Sequence, residues 1–131
     1  KNENIGELES FGKPLNASNM NSQKYFDFQG TAPIYHSIFF DKYKDVIYRI
    51  GRNRFPQSEL KKARAGGKIK SWDFSIYIYD IDYNLIGIST IENTIDYNFA
   101  NIFVGEKGLH IQKISQDEDI LQFARYELKD L

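Results

Sequence analysis

The sequence contains no cysteine. Disulfides, thiolate metal sites and cysteine nucleophiles are therefore excluded from these 131 residues. Its two histidines, His36 and His110, stand far apart in the chain. Two histidines without cysteine give zinc little to bind, and no metal site is expected. No apolar run approaches the ~20 residues that a membrane-spanning helix needs. An excess of one charge is missing too, since 17 Lys and Arg face 18 Asp and Glu, for a net charge of −1. Such a chain has no overall positive field to gather phosphates, so nucleic acid is not an expected partner. The sequence also lacks G-x-S-x-G, H-E-x-x-H and the phosphate-binding P-loop. No catalytic residue and no cofactor are expected from it.

What is present is aromatic and β-forming. Nine Tyr and ten Phe raise the aromatic share to 15%, and flat rings pack well on a pleated, half-buried surface. Charged residues make up 27%, too mixed with apolar ones for a disordered chain. A chain of this length buries roughly 68% of its unfolded surface, enough for a core. It begins at Lys1 with neither methionine nor signal peptide, which reads as a piece processed or cut from a longer protein.

Residues 1–31 are polar and aperiodic, with loop composition at 16–22 and a short strand expected around Ile5–Phe11. The antiparallel domain is placed at 32–131. Its first strand signal is Ile34 to Phe40, in which Ile34, Ile38 and Phe40 share one face with His36. A short polar loop leads to Val46–Ile50, which makes a hairpin. Phe74–Tyr79 and Leu85–Ile88 form a second, joined by Asp80-Ile81-Asp82-Tyr83-Asn84. Ile102–Val104 and Leu109–Ile111 form a third, and a last strand runs from Ile120 to Leu128. The first two turns share a pattern, Asp41 to Val46-Ile47 and Asp80 to Leu85-Ile86. Asp and Asn favour turns because their side chains bond nearby amides. The 39-residue offset between Asp41 and Asp80 lies near a propeller blade repeat of about 40–50 residues. It also fits two ordinary hairpins in one sheet. Several strands are apolar on both faces, as in sheets stacked between sheets. The fold class is all-β, with antiparallel hairpins forming about two propeller-like blades. A small β-sandwich is the alternative.

Gln57–Ala65 has helix composition, with Ser58 as a cap and Gly66-Gly67 as a stop, but almost no apolar stripe. It is expected as a frayed turn or loop inside a basic insertion at 52–70. That insertion holds seven Lys and Arg against Glu59 alone, and is read as a solvated connection rather than a phosphate or sulfate groove. Asp80 and Asp82 resemble half a calcium loop, but Leu85 stands where the loop needs glycine and Ile91 where it needs Glu. Asp117, Glu118 and Asp119 read as a solvated turn. His36 is expected in a core or between sheets. Exposed rings and nearby arginines are the candidate ligand-binding residues: Trp72, Tyr77, Tyr79, Tyr83, Arg52 and Arg54. A flat ring at a rim can stack on a sugar or cap a peptide.

One resemblance adds to this. Ile38 through Arg49, with its Asp41-Lys42-Tyr43 core, then Phe74–Ile76, Asn84–Gly87, Gly108–Ile111 and Asp119–Phe123 together resemble the C-terminal part of a family of unknown function. That family is found in Bacteroides-type exported lipoproteins similar to six-bladed TolB-like propellers. The resemblance covers Tyr35 to Leu128 and rests on turn and strand residues. The family usually carries an acid after the glycine at 87, where this chain has Ile88. The resemblance implies export to the periplasm or outer membrane of a Gram-negative bacterium. It also implies a lipid anchor beyond this sequence and a larger ring, with no catalytic residues to transfer. The expected function is a non-catalytic binding or scaffold module for a protein, peptide or glycan. The alternative is a piece of a propeller enzyme to which His36 or Asp41 contributes. Bare sheet edges would let the isolated piece form a homodimer.

Overall fold

The computed structural model describes residues 33–129. The segment 1–31 and the strand expected at Ile5–Phe11 lie outside them. The first sheet is an antiparallel meander of four strands, β1 (Ile34–Asp41), β2 (Val46–Arg52), β3 (Phe74–Asp80) and β4 (Leu85–Ile91). The second has three, β5 (Tyr97–Gly105), β6 (Gly108–Lys113) and β7 (Gln122–Tyr126). The all-β expectation holds, and each expected hairpin forms.

Each tight turn is written locally. At the β1–β2 turn the Asp41 carboxylate accepts the N–H groups of Tyr43 and Lys44 at 2.9 and 3.1 Å. Its other oxygen accepts the Tyr48 hydroxyl at 3.0 Å. Asp41 is fully buried, so these bonds replace the water it gives up. Burial, then the bond to Asp41, holds the Tyr48 hydroxyl well above its ordinary pKa. At the β3–β4 turn Asp80 repeats the device, accepting the N–H groups of Asp82 and Asn84 at 2.9 Å each. Those bonds, led by the Asn84 amide, pull the Asp80 carboxyl below its usual range. The half-calcium-loop pattern is thus a hairpin turn whose first carboxylate is already engaged.

Both Asp turns belong to the first sheet. The blade-repeat reading of their offset is therefore overturned. The spacing is that of two hairpins in one sheet, lengthened by the 52–70 connection between β2 and β3.

The core lies between the sheets. Val46, Tyr48, Ile50, Phe74, Ile76 and Ile91 from the first meet Phe99, Leu109 and Ile111 from the second. Register explains the selection. Tyr48 pairs with Ile78 and Ile50 with Ile76, so these side chains share one face, as period-2 geometry requires. Phe74 and Phe99 stack at 3.5 Å, with planes 7° apart. Between the sheets, β1 packs beside β5. Toward β4 and β7 the sheets part around a cavity of about 340 Å³.

The segment expected as a frayed turn is a packed helix, α1 (Gln57–Arg64). Pro56, not Ser58, stands at its N-cap position, and no side chain caps it. Two residues anchor it. Leu60 is fully buried, and buried Glu59 accepts the Lys70 backbone N–H at 3.0 Å and pairs with Lys62 at 3.4 Å. That Lys70 bond is the main reason the Glu59 carboxyl sits below its ordinary pKa. One apolar anchor and one tethered carboxylate thus replace the missing stripe. The last strand is also shorter than expected, and Ile120 and Leu121 before it are exposed.

Candidate functional site at the long-loop end

The connections divide cleanly between the two ends of the sheets. Residues 42–45, 81–84 and 106–107 are tight turns, whereas 53–73, 92–96 and 114–121 are longer. The longer ones are bonded to one another. Thr94 donates its N–H and its hydroxyl to the Trp72 carbonyl at 2.9 and 2.8 Å. Ile114 donates its N–H to the Asp96 carbonyl at 2.6 Å. One end of the protein therefore carries a joined set of irregular segments on a rigid scaffold, the usual location for binding residues.

Three side chains meet there. Arg52 ends β2, and its guanidinium lies over the Phe55 ring, 3.9 Å from the centroid. Phe55 in turn meets Trp72 edge-on at 6.3 Å. The sheet makes this possible, because Arg52 pairs with Phe74 and so brings 52–55 beside the run into β3. The backbone is pinned around them. Asn53 donates its N–H to Asp73 at 2.8 Å and accepts the Ser75 hydroxyl at 2.8 Å. Asp73 accepts the Asn93 N–H, and Asn93 accepts the Ser71 hydroxyl at 2.7 Å. Partial burial pulls the Arg52 guanidinium below its ordinary pKa, yet arginine stays charged in proteins. A cation stacked on a ring is worth about 0.5–2 kcal/mol and holds both groups in place.

The six expected ligand residues therefore do not form one site. Arg52 and Trp72 come together through Phe55, with exposed Arg54 two residues along the same segment. Tyr77, which the sequence places among the exposed rings, is buried, at 6% exposure. It lies on the outer face of the first sheet, where the Tyr35 ring meets it edge-on at 5.9 Å and Arg49 covers Tyr35 at 3.5 Å. Tyr79 shares that face and is half-buried. Tyr83 stands 71% exposed at the opposite end, in the β3–β4 turn. Phe55, Asn53 and Asn93 were not among the expected residues. Phe55 had a sequence signal, three residues from Arg52, whereas the asparagines are exposed only by the pairing of distant loops.

Both residues of the enzyme alternative are placed as well. Asp41 is buried with its oxygens engaged, which leaves no carboxylate edge for a substrate. His36 is exposed rather than buried. It sits at a bulge in β1, its ring edge-on to Phe74 and Phe99 at 6.1 and 6.4 Å. The histidine thus lies at the exposed margin of the β1–β5 seam, against one ring from each sheet. Asp117 and Asp119 form their turn, the Asp119 N–H bonding the Asp117 carboxylate at 3.0 Å.

A family model for a domain of unknown function, DUF4221, matches residues 12–88. The chain belongs to the DUF4221 family. The structure of this DUF4221 chain is similar to the crystal structure of a member of that family from Bacteroides vulgatus ATCC 8482. The TM-score is 0.55 and the identity 24% over 82% of this chain. The chain spans 32% of that protein's length. No curated protein matches the chain.

Proposed function

We propose that this chain is a non-catalytic binding module, the terminal part of a β-propeller whose long-loop end carries the ligand surface. The observation that carries the ligand reading is the fixed Arg52–Phe55–Trp72 cluster, a charged group and two rings held by a pinned backbone. Such a surface suits a peptide or glycan, through ring stacking and charge-assisted hydrogen bonds. The test is a peptide and glycan array probed with the whole protein, followed by Arg52→Ala and Trp72→Ala. Each is expected to weaken the captured ligand tenfold or more, about 1.4 kcal/mol, while Tyr83→Ala leaves it unchanged. Equal binding by all three variants, or turnover of the ligand, would reject the reading.

The propeller reading is supported by the way the two sheets splay. β1 packs beside β5, and an open cleft lies between β3–β4 and β6–β7, an arrangement that neighbouring blades about a common axis would have. The outer face of the first sheet supports it too. Ile38 is 60% and Phe40 57% exposed on a strand rich in rings, as though a further sheet covers them. Apolar faces of this kind drive association when bare. Light scattering on residues 1–131 is therefore expected to show a mass that rises with concentration. A single monomer mass at every concentration would count against the ring.

A further inference from the structure

α1 ends in a turn that folds the basic connection back on itself. Gly66 takes φ 89°. Its N–H bonds the Ala63 carbonyl at 3.0 Å, and the Gly67 N–H bonds the Lys62 carbonyl at 2.8 Å, the pattern of a Schellman motif. The chain then returns beside the helix, where the Lys70 N–H reaches Glu59 at 3.0 Å. Helix end and returning segment border an open recess of about 410 Å³, lined by Lys62, Ala65, Gly67, Lys68 and Lys70. Residues 52–70 hold seven Lys and Arg, and this fold gathers three of the lysines.

The recess carries one sign of charge. Among the described residues, no carboxylate belongs to its lining. Glu59 lies beside it but is committed, with one oxygen on the Lys70 N–H and the other on Lys62 at 3.4 Å. Asp73, the other acid between β2 and β3, accepts the Asn93 N–H at 3.0 Å. Lys68 and Lys70 are exposed, and each lysine is a point charge with three rotatable donors. Ala65 and Gly67 add little bulk. Such a set suits a compact anion with several oxygens, whereas a planar carboxylate is better matched by the fork of an arginine.

We propose that this recess binds a sulfate or phosphate ester carried by a glycan whose sugar rings lie against Trp72 and Phe55; the assignment rests on the ligand surface proposed above and selects the glycan from its two ligand classes. Continuity along the chain favours it. Lys70 precedes Trp72 by two residues, a span of at most about 7 Å, so one short oligosaccharide reaches both. Its sugar face stacks on a ring, while its ester is held by charge-assisted hydrogen bonds. A nucleic acid fits less well. The net charge of −1 gives no long-range attraction for it, and no ring lines the recess on which successive bases would stack.

The test is calorimetric titration of the whole protein with a sulfated oligosaccharide and with the same oligosaccharide after desulfation. The sulfated form is expected to bind tenfold or more tightly, with an advantage that shrinks as salt is raised. The double variant Lys68→Gln, Lys70→Gln removes two charges and keeps the backbone N–H that Glu59 accepts. It is expected to erase that advantage and to leave the desulfated form unaffected, whereas Trp72→Ala weakens both forms by the same factor. A phosphorylated counterpart separates the two esters, the tighter binder naming the one recognised. Equal binding of the esterified and bare forms would overturn the proposal and leave the ring surface standing. Trp72→Ala without effect on either form would reject the ring surface, and the glycan assignment with it, even where the lysines still matter. Displacement of the sulfated form by an equal concentration of single-stranded DNA would overturn the proposal in favour of backbone phosphates.

Discussion

Phe99→Ala is expected to destabilise the fold by about 3–5 kcal/mol, the usual cost of emptying a buried Phe position. Phe99 is a buried residue of the second sheet that packs directly on the first. It stacks on Phe74 at 3.5 Å, leans on Tyr97 at 5.8 Å and meets His36 edge-on. Truncation therefore removes the side chain's own burial and leaves Phe74 facing a void that neither sheet can close alone. Phe99→Leu keeps most of the volume and is expected to cost less than half as much. Urea unfolding at one fixed protein concentration reads both differences. A loss below 1 kcal/mol for Phe99→Ala would mean that the sheets are held together elsewhere.

Gly108→Ala should be as damaging, for a different reason. Gly108 opens β6 with φ at 141°, a conformation that residues with a side chain rarely adopt. A Cβ there would run into the Tyr126 carbonyl oxygen and stand 3.1 Å from its carbon. The obstacle is backbone, so β7 must move away from β6 to admit a methyl group. The expected cost is about 3 kcal/mol or more. Gly66→Ala makes the comparison sharp. Gly66 also has positive φ, 89°, but nothing lies within 4 Å of a Cβ at that position. Its substitution should cost only about 1 kcal/mol of local strain. Equal effects in urea unfolding would show that φ alone, and not the approach of Tyr126, sets the penalty.

What the sequence reveals here follows the range of the forces involved. The hairpins are legible because their causes lie within a few residues, as in Asp41 with Tyr43 and Lys44, or Asp80 with Asn84. The helix is misread because its support is not local. Glu59 finds its partner at Lys70, eleven residues on, and Leu60 is a single apolar residue that becomes an anchor only once the sheet exists. Alternation correctly puts Tyr77 and Tyr79 on one face, but not their burial. That depends on Tyr35 reaching across from β1, which no window around Tyr77 contains. The offset between the two Asp turns fails as a repeat because a number of residues carries no information about which sheet they enter. Arg52 and Trp72 were both readable as candidates. Their meeting depends on the β2–β3 register and on Phe55 between them.

Trp72 is the only tryptophan in the sequence, and its position gives the molecule an optical property. The indole responsible for the long-wavelength ultraviolet emission sits beside Phe55, whose ring carries Arg52, among the loops, and only partly packed against the core. Intrinsic fluorescence therefore reports on one end of the protein and is nearly blind to the other. A compound seated against the Arg52–Phe55 pair announces itself by a spectral change without any label. In a melt, the emission curve follows the release of those loops, while circular dichroism follows the sheets.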